Sequence, residues 1–295
     1  MRTLIPNSLD TLREPTETLF RWLGVPRTML KVGSIAGKTV MITGGGTGIG
    51  RGFALRFAEA GATVALVARN IQRLEAVAQE IRTNGGLALV HPADIRDAQS
   101  VQIVVDAVVA ETGRLDVLVN NAAGNFIARA ENITPNGWNA VVGIVLNGSF
   151  YCARAAGRQM LRQDGGGKIL SVVASYAWVG GPGTVHSAAA KAGVIAMTKT
   201  LAVEWGPRNL QVNCLCPGFV DTEQSRQALW PTTQAQDKLI SRIPAGRFGT
   251  VEEVVEAGFY LCSPAADYIN GEVLTIDGGE WLNKGALVLP EVNVS

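Results

Sequence analysis

The segment Thr43-Gly44-Gly45-Gly46-Thr47-Gly48-Ile49-Gly50 follows directly on the apolar run Val40-Met41-Ile42. Glycines reach backbone angles closed to other residues and let an anion approach the main chain. The next stretch, residues 53–58, has helical spacing, so the first free N–H groups of a helix would point at that anion. Strand, glycine turn and helix in this order make a phosphate site. The glycines fall as G-x-x-x-G-x-G at 44, 48 and 50, not as the G-x-G-x-x-G of the common dinucleotide fingerprint. The second predicted strand ends Val67-Ala68-Arg69-Asn70, and the first acid after it is Glu75. In dinucleotide folds an acid near that strand end holds the ribose 2′-hydroxyl. Here the guanidinium fork of Arg69 suits a 2′-phosphate instead. That favours NADP(H) over NAD(H), the plainer alternative being an arginine that only tops a helix. Asp94, after the third strand, is placed to accept from the adenine amino group.

Alternating elements must hold these residues. The spacing predicts strand 39–42, helix 50–60, strand 63–68, helix 72–82, strand 87–90, helix 98–111 and strand 117–120. It continues with helix 138–161, strand 168–173, helix 187–205, strand 211–215, helix 251–262 and strand 272–276. Such βα units mean an α/β protein with a doubly wound parallel sheet and right-handed crossovers. The segment 219–247 lies past the carboxyl end of a strand, where open α/β sheets bind ligands. It reads as a substrate lid or as a plain surface excursion. Residues 1–34 form an N-terminal extension, with Leu9, Leu12, Leu19, Phe20 and Leu23 suggesting short amphipathic pieces broken by Pro15 and Pro26. A single domain covers 35–284, and 285–295 is a C-terminal tail.

Composition narrows the function classes. The 295 residues are 47% hydrophobic and 17% charged, enough apolar material for a large buried core. A net charge of +1 without a basic stripe argues against a nucleic-acid binder. No window reaches about 18 unbroken apolar residues, so no membrane span is expected. With no basic-then-apolar signal at the start, the expected location is cytoplasmic. The four cysteines, at 152, 214, 216 and 262, lack C-x-x-C spacing. Neither His91 nor His186 has a ligand-like companion, so capping or surface roles are expected for them and no metal.

The chain resembles the short-chain dehydrogenase/reductase family across about residues 35–280. The resemblance rests on Thr43–Gly50, Asp94, Asn120-Asn121-Ala122-Ala123-Gly124, Lys191, Asn213 with Pro217-Gly218, and Asp277-Gly278-Gly279. It implies a Rossmann-like three-layer α/β/α sandwich with seven parallel strands, a homotetramer, and NADP(H) held by Gly44, Gly46, Thr47, Gly48, Ile49, Arg69, Asp94, Ile95, Asn121, Ala122, Lys191, Pro217, Gly218 and Val220. An ordinary member carries Tyr-x-x-x-Lys on one helix, where the i, i+4 spacing puts both side chains on one face and Lys⁺ lowers the phenol pKa. Here Ser187 stands four before Lys191, Ala174 stands where the usual serine falls, and Val145 stands where the usual asparagine falls.

These departures are similar to the 2,4-dienoyl-CoA reductases, in which a tyrosine on the loop after the fifth strand replaces the helical one. Tyr176, Ser187-x-x-x-Lys191 and Asn120–Phe126 (NNAAGNF) carry that likeness. It implies reduction of an acyl-CoA substrate, with Tyr176 and Asn125 donating to the thioester oxygen. Lys191 would hold the nicotinamide ribose, and Ser187 would hold Lys191 or a water. Arg96, Phe126 and Thr134 would contact substrate, Arg96 at a CoA phosphate. Each residue also has a plainer use: Tyr176 as a loop aromatic, Asn125 closing a turn, Ser187 capping its helix, Phe126 and Trp178 in a core or interface.

Overall fold

The computed structural model describes residues 35–223, 225–226, 230 and 232–283. The N-terminal extension and the C-terminal tail lie outside the described residues. Seven strands form one sheet in the order β3-β2-β1-β4-β5-β6-β7. They are β1 Thr39–Thr43, β2 Thr63–Ala68, β3 Leu87–Pro92, β4 Val117–Asn120, β5 Gly167–Val172, β6 Leu210–Pro217 and β7 Val273–Ile276. All neighbours pair in parallel. The strand order reverses between β1 and β4, which creates the crevice where such sheets bind ligands.

Each connection supplies a helix, as right-handed crossovers require. Helices α1 Gly48–Glu59 and α2 Ile71–Thr83 follow β1 and β2; α3 Ala98–Thr112 follows β3. Helices α4 Pro135–Val142 and α5 Ser149–Met160 lie between β4 and β5, and α6 Tyr176–Val179 with α7 Val185–Trp205 lies between β5 and β6. Helices α8 Thr233–Ile240 and α9 Val251–Cys262 precede β7. The strands alternate their side chains between two apolar layers. On β1, Val40 and Ile42 enter the layer with Phe53, Phe57 and Phe259 from α1 and α9. Met41 enters the opposite one with Val104, Val108, Ala153 and Met160 from α3 and α5. Both layers are needed because the central strands β1, β4 and β6 are buried along their whole length.

Most predicted elements stand within two or three residues of their expected ends, and the strand order is that of the expected fold. The helix expected over 138–161 is a correction. It begins earlier, at Pro135, capped by the Thr134 hydroxyl that accepts from Gly137 N–H at 3.1 Å. Its middle, Gly143–Gly148, is a π-helical segment. There Gly148 packs on Ile95 so closely that a Cβ would lie 2.7 Å from Ile95 Cδ1. A shift from i+4 to i+5 bonding leaves the apolar pattern almost unchanged, so periodicity reads straight through it. The whole run, Pro135–Met160, is apolar enough to cross a membrane by length and composition alone, but half of its 18-residue window is buried in the fold.

Within 219–247, Trp230 is buried between Phe219, edge-on at 5.8 Å, and Phe248, stacked at 4.8 Å. Val220 pairs with Gly249 in an isolated parallel bridge. Residues 224, 227–229 and 231 of that segment lie outside the described residues.

Candidate functional site

The glycine turn closes over the end of β1. Gly44 and Gly48 have φ of +67° and +52°, angles that favour glycine. A Cβ on Gly50 would lie 2.1 Å from the Gly44 carbonyl oxygen. Thr47, at the N-cap of α1, makes no side-chain cap bond, so its side chain satisfies none of the helix's first N–H groups. The loop after β4 is laced to this turn. Asn121 and Ala122 donate their backbone N–H groups to Thr43 Oγ1 at 3.1 and 3.0 Å. The Asn121 carboxamide donates to the carbonyls of Thr43 and Gly44 at 3.1 and 3.3 Å. Asn121, expected among the cofactor contacts, has its side chain committed to shaping the cradle.

A cleft of about 840 Å³ opens beside the turn. It is lined by Gly44, Gly46, Thr47, Gly48, Ile49, Arg69, Asp94, Ile95, Asn121 and Ala122, ten of the residues the sequence singled out. Glycines held at positive φ, a helix N-terminus without a side-chain cap and an exposed guanidinium together suit a dinucleotide phosphate. A larger groove of about 1040 Å³ lies over the outer face of α1, flanked by α2 and α9. It shares Gly46, Thr47, Gly48 and Thr222 with the smaller cleft, but the residues singled out from the sequence at 44, 49, 69, 94, 95, 121 and 122 line only the smaller one. Pro217, Gly218, Val220 and Lys191 stand apart from the cleft lining, on the β6 side of the sheet. There Gly218 packs on Asp277, whose Cβ would be 2.6 Å from an added Cβ.

Two residues expected to meet ligands meet each other. Arg96 donates from its backbone N–H and its Nε to Asp94 at 3.0 Å each. The Arg96 guanidinium bond, the largest cause, holds the Asp94 carboxyl below the usual carboxylate range. Arg73 also lines the cleft, one helical turn beyond Arg69, and the sequence reading passed over it.

On the other flank, Lys191 is buried on α7 and donates to the carbonyl of Val172 at the end of β5. Burial, the largest cause, pulls its pKa down to about 8. Burial pushes the thiols of Cys214 and Cys216 up to about 11 and about 12, so they stay protonated and uncharged at neutral pH. Tyr176 opens the helical turn α6; its expected place in a loop is corrected, because the Trp178 and Gly180 N–H groups bond back to Ser175 and Tyr176. Its hydroxyl shares a 2.9 Å hydrogen bond with Ser187 Oγ. Burial, the larger cause, raises the Tyr176 pKa above its ordinary value while Ser187 opposes it.

Of the two partners expected for the Ser187 hydroxyl, Lys191 or a water, Lys191 is corrected: the side chain that meets it is Tyr176. Nor does Ser187 cap its helix, since α7 starts at Val185 with Thr184 as N-cap. Asn125 accepts from the neighbouring Phe126 N–H at 2.9 Å through Oδ1, which leaves its amide N–H groups able to donate. Thr134 has its hydroxyl engaged as the α4 cap. Phe126 is exposed rather than part of the core. His186 departs furthest from expectation. It is fully buried, edge-on to Phe126 with ring centroids 4.4 Å apart. Tyr176 and Ser187 come together, with Lys191 one helical turn beyond Ser187 on α7; Arg96 and Asp94 come together elsewhere.

A seven-stranded doubly wound sheet with a glycine turn at its switch point is the architecture of dinucleotide-binding α/β proteins. Residues 44–280 match the family profile described as enoyl-(acyl carrier protein) reductase. The chain belongs to the short-chain dehydrogenase/reductase family and is an oxidoreductase. It is 44% identical over 247 residues to a "probable 2,4-dienoyl-CoA reductase [(2E)-enoyl-CoA-producing]" of Bacillus subtilis, covering 83% of this chain and 97% of that protein. It is 38% identical to the rat peroxisomal 2,4-dienoyl-CoA reductase, named as (3E)-enoyl-CoA-producing, over 83% of this chain and 84% of that protein. A gluconate 5-dehydrogenase from Burkholderia cenocepacia, in complex with NADP and tartrate, superposes with a TM-score of 0.80 at 34% identity, over 85% of this chain and 98% of that one.

Proposed function

We propose that this protein is an NADPH-dependent reductase of conjugated acyl thioesters, converting a 2,4-dienoyl-CoA to a 3-enoyl-CoA in the oxidation of unsaturated fatty acids. The 2.9 Å bond between the Tyr176 hydroxyl and Ser187 Oγ carries this reading. It brings a phenol to the helix position four before Lys191, although the phenol belongs to a different element. A serine there is far too weak an acid to serve as the donor; the phenol beside it is not.

Bound NADPH would supply the hydride to C5, and a proton taken from water at C2 of the resulting dienolate completes the 3-enoyl product. The chain's own residues then stabilise negative charge on the thioester oxygen, with Tyr176 and the Asn125 carboxamide as donors. The raised Tyr176 pKa keeps its hydroxyl protonated at neutral pH and able to donate. Ser187 orients that hydroxyl, and Lys191 holds the nicotinamide ribose. The exposed apolar side chains near Tyr176 in sequence and across the loop, Phe126, Ile127, Trp178 and Val179, suit an acyl chain better than a polyol. NADP(H) is favoured because Arg69 is exposed beside the cleft while Glu75 faces Arg82 at 3.4 Å.

The test follows NADPH absorbance with a 2,4-dienoyl-CoA, a trans-2-enoyl-CoA and a simple ketone. The dienoyl thioester should be the fast substrate. Loss of one oxyanion donor in Tyr176→Phe should cost roughly 10²–10³ in kcat, or ~2.7–4 kcal/mol. Product analysis separates the 3-enoyl product proposed here from the 2-enoyl product in the Bacillus relative's name. A trans-2-enoyl-CoA reductase is the second reading, favoured by the description of the matching family profile. Preference for the enoyl thioester would establish it. Tight NADPH binding without turnover of any substrate would make the protein a cofactor-binding one.

A further inference from the structure

His186 has no part in the chemistry above, yet it stands between the two flanks of the site. It is the second residue of α7 and is 0% exposed. Helix N-termini carry N–H groups that need partners from outside the helix. The N-cap Thr184 gives none from its side chain; its hydroxyl donates to the Gly181 carbonyl at 2.8 Å. The Ser187 N–H is satisfied by His186 Nδ1 instead, at 2.8 Å. An imidazole that accepts at Nδ1 while neutral carries its proton on Nε2. That Nε2 is buried and has no hydrogen-bond partner among the described residues. Buried polar atoms are rarely left so, and each one asks for a reason.

The ring makes one further contact. It stands at 87° to Phe126 with centroids 4.4 Å apart. Phe126 in turn donates its N–H to Asn125 Oδ1 at 2.9 Å. One imidazole therefore touches Ser187, which shares a hydrogen bond with the Tyr176 hydroxyl, and Phe126, whose N–H holds the Asn125 carboxamide oxygen. We propose that His186 is a positioning residue, fixing Ser187 through Nδ1 and Phe126 through its ring, so that the two donor-bearing flanks keep one spacing. This rests on the reading of Tyr176 and Asn125 as the two donors.

Three substitutions separate its parts. His186→Asn keeps an acceptor where Nδ1 stands, His186→Gln moves the amide out to the Nε2 position, and His186→Leu keeps apolar volume alone. With the dienoyl thioester, His186→Leu and His186→Gln should lose kcat by tenfold or more while NADPH dissociation constants stay within twofold. His186→Asn should recover kcat to within about threefold of wild type and keep a raised KM, because the ring contact to Phe126 is gone. Equal kcat in all four proteins overturns the proposal. Equal losses in all three variants together with weakened NADPH binding also overturn it, since that is the pattern of a purely structural residue.

A second measurement needs no change at position 186. The chain has two histidines, so 15N-labelled imidazole signals report on each. Tyr176→Phe should shift the His186 signal and leave that of His91 in place; an unmoved His186 signal overturns the coupling. If wild type fails to reduce the dienoyl thioester, the substrate reading falls, and this signal still decides the role of His186.

Discussion

Lys191 combines burial with a charge that its proposed task needs. Its pKa of about 8 lies below the value of about 10.4 usual for an unfolded lysine. Free-enzyme kcat/KM should therefore fall as pH rises through about 8, where the ammonium that holds the ribose is lost. Stability should move the other way. Between about pH 8 and 10.4 the folded chain binds fewer protons than the unfolded one, so this residue's contribution rises with pH. Below that window the cost of a buried charge is fully present. Lys191→Met should remove the rise in stability seen by thermal unfolding, and a slope unchanged by that substitution would locate the titration elsewhere. Arg69 tests the cofactor at the same scale. A charge-assisted bond to a 2′-phosphate is worth ~1.5–3 kcal/mol, so Arg69→Ala should raise the KM for NADPH roughly 10- to 100-fold and leave that for NADH almost unchanged. Equal effects on both cofactors would show that Arg69 only tops its helix.

Among the elements, the junction of β1 with α1 has the least freedom. At Gly50 an added Cβ would meet the Gly44 carbonyl oxygen at 2.1 Å and Asn121 Nδ2 at 2.5 Å. Those are the atoms that lace the glycine turn to the β4 loop. Gly50→Ala should therefore cost about 1–3 kcal/mol in unfolding free energy, as overpacking does, and weaken NADPH binding together with it. Thermal unfolding and a fluorescence titration check both; wild-type affinity in a stable variant would mean the turn can relax without the cradle. The π-helical segment is the other constrained element. Ser149 donates its hydroxyl to the Val145 carbonyl at 2.7 Å, and Asn120 donates to the Ser149 carbonyl at 3.1 Å. The distorted helix is thus tied to the end of β4, one residue before the loop that shapes the cleft. Val145 is buried and Asn147 exposed, so the nearby asparagine does not turn inward to replace the missing one.

Across the whole molecule, what the sequence by itself determined is what depends on neighbours along the chain. Period-3.6 and continuous apolar runs, with glycines between them, define the βα alternation, hence the parallel sheet and its crossovers. The glycine turn, Arg69 and the Ser187-to-Lys191 spacing are equally local, and each reads directly from the residues. The tertiary structure alone decided which distant side chains meet. Tyr176 and Ser187 are 11 residues apart and on different helices; their shared bond depends on how α6 folds back on α7. Asn121 reaches Thr43 across 78 residues because β1 and β4 are neighbours in the sheet. His186 looked like a surface or capping residue because the sequence does not say that Phe126, 60 positions earlier, comes to cover it. Hydrogen-bond partners and burial are set by packing between elements, and single-residue patterns carry no record of which faces meet.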